Sequence, residues 1–386
     1  MPETHLPIPI SQNQHDIIII GGGLSGLFNA LLLNRAGYAV TLIEKKSYPF
    51  HRVCGEYISN EVLPFLKELS INVHDLGSTR ISKVQVTSVS GNSFSQTLDL
   101  GGFGLSRYLF DEFLYKKAKS EGVNFLLNTK VEDVIFDENE FKVITSSSTL
   151  ISKLVIGSFG KRSNLDQKLN RAFFAMRSPY VGVKYHFKAD FPTDLVQLNN
   201  FKNGYAGVVG VENGVFNLCY LVHRDELKKH QALPNLEAES LCKNRFLKSL
   251  FEQAEFLWNK PQVINEISFE KKLPVENHLF MSGDTAGMIA PLCGNGMSMA
   301  IHSAKILSES IKKHYNPCNF TLSKRQLLEA EYTQKWNDLF SKRLFMGRKL
   351  QNLFGNNLLT NLAINMLKTM PPAADYLINK THGKPF

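Results

Sequence analysis

The stretch IIIIGGGLSGLFNALLLNRAGYAVTLIEK, Ile17 to Lys45, constrains what this chain can fold into more than any other. An apolar run leads straight into Gly21, Gly22 and Gly23, and Gly26 completes a G-x-G-x-x-G pattern at the start of a helical sequence. Backbone N–H groups at such a turn are free, and the helix dipole adds positive potential, so the turn favours a pyrophosphate. A second apolar run, AVTLIE, closes a strand–helix–strand unit and ends on Glu44, close to the roughly 20-residue offset at which an acid meets the hydroxyls of an adenosine ribose. A carboxylate at that place repels a 2′-phosphate, which disfavours NADP.

The same glycines break the one long apolar run, Ile17 to Leu33, so it suits a strand–turn–helix better than a bilayer helix. The N-terminal stretch MPETHLPIPISQNQHD has no basic segment followed by an apolar one, so no secretory signal is expected. Five cysteines without a C-x-x-C pair fit neither a disulfide framework nor a zinc site, and point to a reducing cytoplasm. Length and an apolar share of 43% allow two interleaved domains with a real core. The net charge is +9, yet Lys305 to the C-terminus alone holds 13 Lys and Arg against 5 Asp and Glu, so the excess is local. No zinc-finger spacing or aromatic RNA-binding motif accompanies it, so nucleic acid is not expected; a peripheral contact with anionic lipid is the stronger reading.

After the first unit, a helix is expected near Asn60 to Leu69, and ISKVQVTSVSG alternates like a half-buried strand. LSRYLFDEFLYKKAKSEGV reads as a helix stopped at Gly122, and NFLLNTKVEDVIF and KLVIGS return as strands. From about Ser163 to Val275 the rhythm is mostly β: YVGVKYHFKAD puts Val181, Val183, Tyr185 and Phe187 on one face, and Asn213-Gly214 signals a hairpin. Lys305 to Phe386 reads as helical, basic and amphipathic. The expected architecture is α/β: a Rossmann-like nucleotide-binding domain over 1–162 with 276–310, an interleaved antiparallel sheet domain over 163–275 that walls a substrate pocket, and a helical C-terminal segment over 311–386. Part of 75–100 is expected to join the substrate sheet.

FAD and NAD both fit the first turn. HLFMSGD followed by TAGMIAPLCGNGMSMAIHSA decides between them. A strand delivering Gly283-Asp284 offers an acid for ribityl hydroxyls, and the glycine-rich turn with Gly294 and Gly296 opens a helix whose N-terminus stabilises negative charge on a reduced flavin. Glycines there let the backbone approach the ring closely. FAD is the expected cofactor.

With these motifs in place, the chain resembles the FAD-dependent oxidoreductase superfamily of aromatic hydroxylases, flavin halogenases and geranylgeranyl reductases. YPFHRVCGEYIS resembles the Cys-Gly stretch of the geranylgeranyl reductase branch, and PLCGNGM its flavin-facing turn; Arg107 and Asp111 resemble the R-x-x-x-D helix. The resemblance implies FAD contacts from Glu44, Cys54, Gly55, Arg107, Val131, Asp284, Gly296 and Met297, besides Gly21, Gly23, Gly26 and Gly294. Arg52 and Arg107 also make sense as guanidinium donors to a pyrophosphate. Cys54 is the candidate beside the flavin ring, and Cys293 a second candidate thiol.

Departures from the resemblance narrow the chemistry. Phe159 stands where hydroxylases usually carry an acid, which counts against the transient mode by which the family binds NAD(P)H, although NAD(P)H stays a candidate transient electron donor. Trp258 and Trp336, the only tryptophans, lie in no W-x-W-x-I-P segment, against halogenation. YAGVVGV, Tyr205 to Val211, replaces the aromatic stretch of the prenyl reductases and leaves room for a larger apolar substrate. Monooxygenase-like hydroxylation of a lipophilic aromatic or polyketide-like compound is the leading expectation, reduction of isoprenoid double bonds the alternative, and a flavin-binding protein without turnover the third. In the tail, Leu344, Phe345, Leu350, Leu353, Phe354 and Leu358 are interleaved with Arg348 and Lys349, which fits a packed helix, one facing lipid or a lid over an apolar substrate.

Overall fold

The computed structural model describes residues 14–351, 355–370, 380 and 382–386. Gln14–Ile20 is a strand with Val40–Ile43 parallel on one side and Thr149–Gly157 parallel on the other. Leu279–Met281 and Asn124–Leu126 extend this sheet at its two ends, again in parallel. Ile17, Ile18 and Ile19 are fully buried, which a parallel strand covered on both faces requires and an unbroken apolar run supplies. Val131–Asp137 and Glu140–Thr145 form a hairpin that pairs with the first half of Thr149–Gly157. The helix Leu24–Arg35 packs against Arg107–Ser120, where the Phe28 and Phe110 rings meet edge to face at 6.3 Å.

A second sheet runs in the order Glu255–Phe256, Tyr180–Lys188, Phe216–His223, Gly204–Gly210, Leu195–Phe201, Thr79–Thr87, Ser93–Gly104, Tyr57–Ser59, with Gln262–Ile267 also paired to Tyr180–Lys188. Its far end therefore comes from chain that precedes residue 105, and Thr79–Thr87 joins Leu195–Phe201 in parallel. The hairpin between Gly204–Gly210 and Phe216–His223 turns at Asn213 and Gly214, both at positive φ (58° and 68°), as a primed two-residue turn demands. One face of the sheet, with Val181, Val183, Tyr185, Phe187, Leu218 and Val222, is buried with Leu236, Leu247 and Leu250 of the helices that follow. The other face turns toward the first domain, since Asn217 on it donates to the backbone oxygens of Cys54 and Gly55 at 3.2 and 2.9 Å.

The tail departs from continuous helix. Its helices are Leu322–Gln351 and Asn357–Thr369, after Gly296–His314. In the first, Leu328, Tyr332, Trp336 and Phe340 make a buried stripe at four-residue spacing, so that part of the tail is packed. Residues 383–386 are not helical: the Phe386 ring stacks on His302 at 3.8 Å and its N–H donates to Glu61 O at 3.1 Å. Gly383 N donates to the Glu61 carboxylate, and Pro385 has no N–H to give a helix, which fits the departure. Leu353 and Phe354 of the tail pattern lie outside the described residues, as do residues 1–13, 371–379 and 381.

Candidate functional site: a two-turn cofactor cradle

The first turn is built by close approach. Gly21 has φ +101°, and a Cβ there would lie 2.4 Å from Ser158 O; a Cβ on Gly26 would lie 2.0 Å from Gly21 O. Only glycine lets the helix Leu24–Arg35 start this near the two central strands. Gly23 occupies the N-cap position, and no side chain caps the helix. The first-turn N–H groups have no partner within the helix, which is the property that a bound phosphate exploits.

Around that turn stand four charged side chains. Glu44, buried at the end of its strand, accepts from Gly22 N at 2.9 Å and Lys46 N at 3.2 Å. Arg52 reaches Glu44 at 3.4 Å and Gly22 O at 2.9 Å through Nη2, while its Nε donates to Asp111 at 2.8 Å. Arg107 holds the same carboxylate by two bonds of 2.7 and 2.8 Å, and its Nη2 would be 3.5 Å from a Cβ on Gly23. Asp111 thus orients two guanidiniums at the mouth of the turn, a fork-to-carboxylate geometry suited to that task. Cys54 also lies against Arg107. Thr129 N donates to Glu44 O at 3.1 Å, and Val131 follows two residues after Thr129.

The second turn is tied to the first through small polar groups that the sequence reading missed. Ser25 and Ser282 share a hydrogen bond of 2.5 Å, Asn29 donates to both Ser25 O and Ser282 Oγ, and Ser303 bonds Ser282 and Gly283 N at 2.8 Å each. This fixes Gly283 (φ +67°), and with it Asp284, against the first helix. Asp284 is half-buried; its backbone oxygen accepts from Lys272 Nζ at 2.9 Å and its carboxylate makes no hydrogen bond among the described residues. Burial drives the Lys272 ammonium down to about 8, against partial opposition from Asp166. Gly294 is left-handed (φ +65°), with Tyr57 Cδ1 3.0 Å from a Cβ placed there. Gly296 and Met297 begin the helix Gly296–His314, which also lacks a side-chain cap, and a Cβ on Gly296 would meet only Ile289 Cγ2, in ordinary contact at 3.8 Å.

FAD fits this cradle on an observation independent of the motifs. Ser158 Oγ, beside the first turn, and Ser298 Oγ, at the second helix start, are both buried without a hydrogen-bond partner among the described residues. An orphaned buried hydroxyl costs about 1–3 kcal/mol, so two of them at two uncapped helix starts argue for a polar ligand along the cradle. Cys293 does not share that role: it is buried, burial pushes its thiol up to about 12, and it packs beside Gly347 of the long helix. No cluster of ligating side chains among the described residues could hold a metal ion.

Between the cradle and the second sheet lies a closed ionic cluster. Glu56, at φ +57° and fully buried, bonds Lys184 Nζ through one oxygen and His186 Nε2 (2.7 Å) through the other; Arg107 N also donates to it at 2.8 Å. Lys184 donates onward to Arg52 O at 3.2 Å. Trp258 stacks on His186 at 4.7 Å and meets His51 at 4.6 Å. Burial alone pushes the Glu56 carboxyl up, but Lys184 and His186 outweigh it and hold it at about 2. His51 goes down to about 4, first by burial and then by the charges of Lys184 and His186.

Fold and turns together define a flavoprotein of the α/β dinucleotide-binding class. A family model described as an FAD binding domain matches residues 14–318, and the chain belongs to that family. A digeranylgeranylglycerophospholipid reductase of Methanococcus vannielii is 21% identical, over 90% of this chain and 89% of its own length. Among solved structures, the flavin-dependent brominase Bmp2 superposes with a TM-score of 0.76 at 18% identity, covering 95% of this chain and 93% of its own. PqsL of Pseudomonas aeruginosa, described as a probable FAD-dependent monooxygenase, gives 0.66 at 16% identity, covering 92% of this chain and all of its own. The chain is accordingly an FAD-dependent oxidoreductase in class.

Proposed function

We propose that this protein oxygenates a lipophilic aromatic or polyketide-like substrate held against the inner face of the second sheet. The supporting observation is the low wall at Gly207, where an added Cβ would meet only atoms of the sheet itself, Cys219 O and Leu198 Cδ2, each in ordinary contact at 3.8 Å, while Tyr205 and Leu221 keep the surroundings apolar. Bound FAD would take electrons from a transient donor such as NAD(P)H and supply the oxygen chemistry. Glu44 would accept from the adenosine ribose, Arg52 and Arg107 would neutralise the pyrophosphate, and Asp284 would accept from the ribityl chain. Gly55, Val131 and Met297 would line the cradle, and the helix start at Gly296 would favour negative charge on the reduced ring. The Glu56–Lys184–His186 cluster would hold the two domains together over the site and exclude water.

Reduction of isoprenoid double bonds is the second reading, favoured by Cys54 in its R-V-C-G-E setting against Arg107 and by the reductase relative. Reduced, FAD-loaded protein mixed with labelled oxygen and an apolar aromatic substrate should yield product carrying the label. Anaerobic loss of double bonds from a polyprenyl substrate, without label in the aerobic product, would replace the first reading by the second.

The helix Asn357–Thr369 is the proposed lipid contact. Leu358, Leu362, Met366 and Met370 recur every four residues and are exposed, and residues 339–370 contain no acid. No described helix is long and apolar enough to cross a membrane, so the contact would be peripheral. Sedimentation with anionic vesicles at low salt, released by added salt, is the expected result; equal sedimentation with neutral vesicles would contradict it.

A further inference from the structure

A cavity of about 310 Å³ opens between the second sheet and the long tail helix, with Arg177, Tyr180, Phe269, Arg348 and Gln351 among its lining. That volume is in the range of small-molecule sites, roughly 300–1,000 Å³. No carboxylate lies within ion-pair distance of Arg177 or Arg348 among the described residues. Glu270 is the one acid in the lining, and it is exposed and itself unpaired, so the cavity keeps a positive excess.

Gln351 adds a second, independent sign of a missing polar partner. It is 6% exposed, and its Oε1 is buried without a hydrogen bond among the described residues. The opposite wall is apolar. Tyr180 and Phe269 meet at 5.5 Å and pack with Tyr205, Ile267, Met288 and Leu292 in one cluster, which Leu350 of the tail helix also joins. Leu292 belongs to the P-L-C-G-N-G-M turn, so this packed apolar cluster joins the wall of the cavity to the second turn of the cradle.

We propose that this cavity admits an amphipathic anion: a carboxylate or phosphate head bound by Arg177 and Arg348 with Gln351 in support, and an apolar body laid along Tyr180 and Phe269 toward Leu292. The proposal rests on reading the inner face of the second sheet as the substrate wall. It narrows the substrate from lipophilic to lipophilic and acidic, and makes the tail helix a specificity element, since Arg348 and Gln351 both sit on it.

The test is calorimetric titration of FAD-loaded protein with decanoate, decyl phosphate and decanol, each below its micelle threshold, and with inorganic phosphate. The anionic amphiphiles should bind about tenfold tighter than decanol at low salt, with the preference shrinking as salt rises. Whichever of carboxylate and phosphate binds tighter identifies the head group. In the double variant Arg177→Gln, Arg348→Gln the preference should fall about tenfold, with decanol affinity and FAD content unchanged. Equal binding of decanol and the anions, an unchanged preference in the double variant, or inorganic phosphate binding as tightly as decyl phosphate would each overturn the proposal. Turnover is not read in this titration, so an inactive protein leaves the result standing, and a failed titration leaves the oxygenation reading standing.

Discussion

The two charged clusters that flank Arg52 are built from the same materials and do opposite things. At the first turn, Arg52 and Arg107 share Asp111 beside an uncapped helix start, and Arg52 remains partly open to solvent. In the second cluster, both Glu56 oxygens are taken and Lys184 is fully buried with two acceptors. Charge at the turn is arranged around unfilled hydrogen-bonding capacity, whereas charge in the cluster is consumed internally. The lesson is that the count of ionisable groups does not mark a ligand site; the unused donors and acceptors around them do.

That contrast can be broken first by mutation of the closed cluster. Lys184→Met leaves Glu56 buried without its cation and should destabilise the protein by about 3–5 kcal/mol, read from urea unfolding. Pairing it with Glu56→Gln should recover a large part of the loss. Loss of similar size in both variants would mean that shape, not charge, holds the domains together. At the open turn the effect moves from stability to ligand: Glu44→Gln should weaken FAD binding by about 1–3 kcal/mol, measured by titration of apoprotein. Ser158→Ala should weaken FAD binding by about 0.5–1.5 kcal/mol and leave the ligand-free protein unharmed, because its hydroxyl has no partner there to lose. Equal destabilisation of the ligand-free and FAD-loaded forms would remove Ser158 from the cradle.

A smaller effect is expected in pH. The folded His51 sits at about 4 against a usual 6.5, so the unfolded chain binds the extra proton between those values. Stability should therefore fall as pH drops from 6.5 to 4, and fall again from 4.5 toward 2 as Glu56 protonates. A His51→Phe variant with an undiminished first phase would assign that phase elsewhere, with His302, also at about 4, the next group to replace.

Much of the fold was legible where its signals are local. The glycine spacing, the acid at the second strand's end and the hairpin at Asn213-Gly214 each follow from backbone geometry within a few residues. The ionic cluster was not legible. Lys184 and His186 alternate with Val183, Tyr185 and Phe187, a pattern that reads as a solvated outer face, and it is Trp258 and the loop before Tyr57, both distant in sequence, that cover them. Nor does sequence spacing join Ser25 to Ser282, 257 positions away. The tail's helical character was legible in its spacing, but the return of its last residues to Glu61 was not, because that pairing lies beyond any local rule.

The most direct measurement is cofactor content. Protein purified without added flavin should be yellow and release FAD in equal proportion to chain on denaturation, and apoprotein of Glu44→Gln should take it up with about tenfold or lower affinity than wild type. A wild-type chain that is colourless and cannot be reconstituted with FAD would contradict the account at its centre.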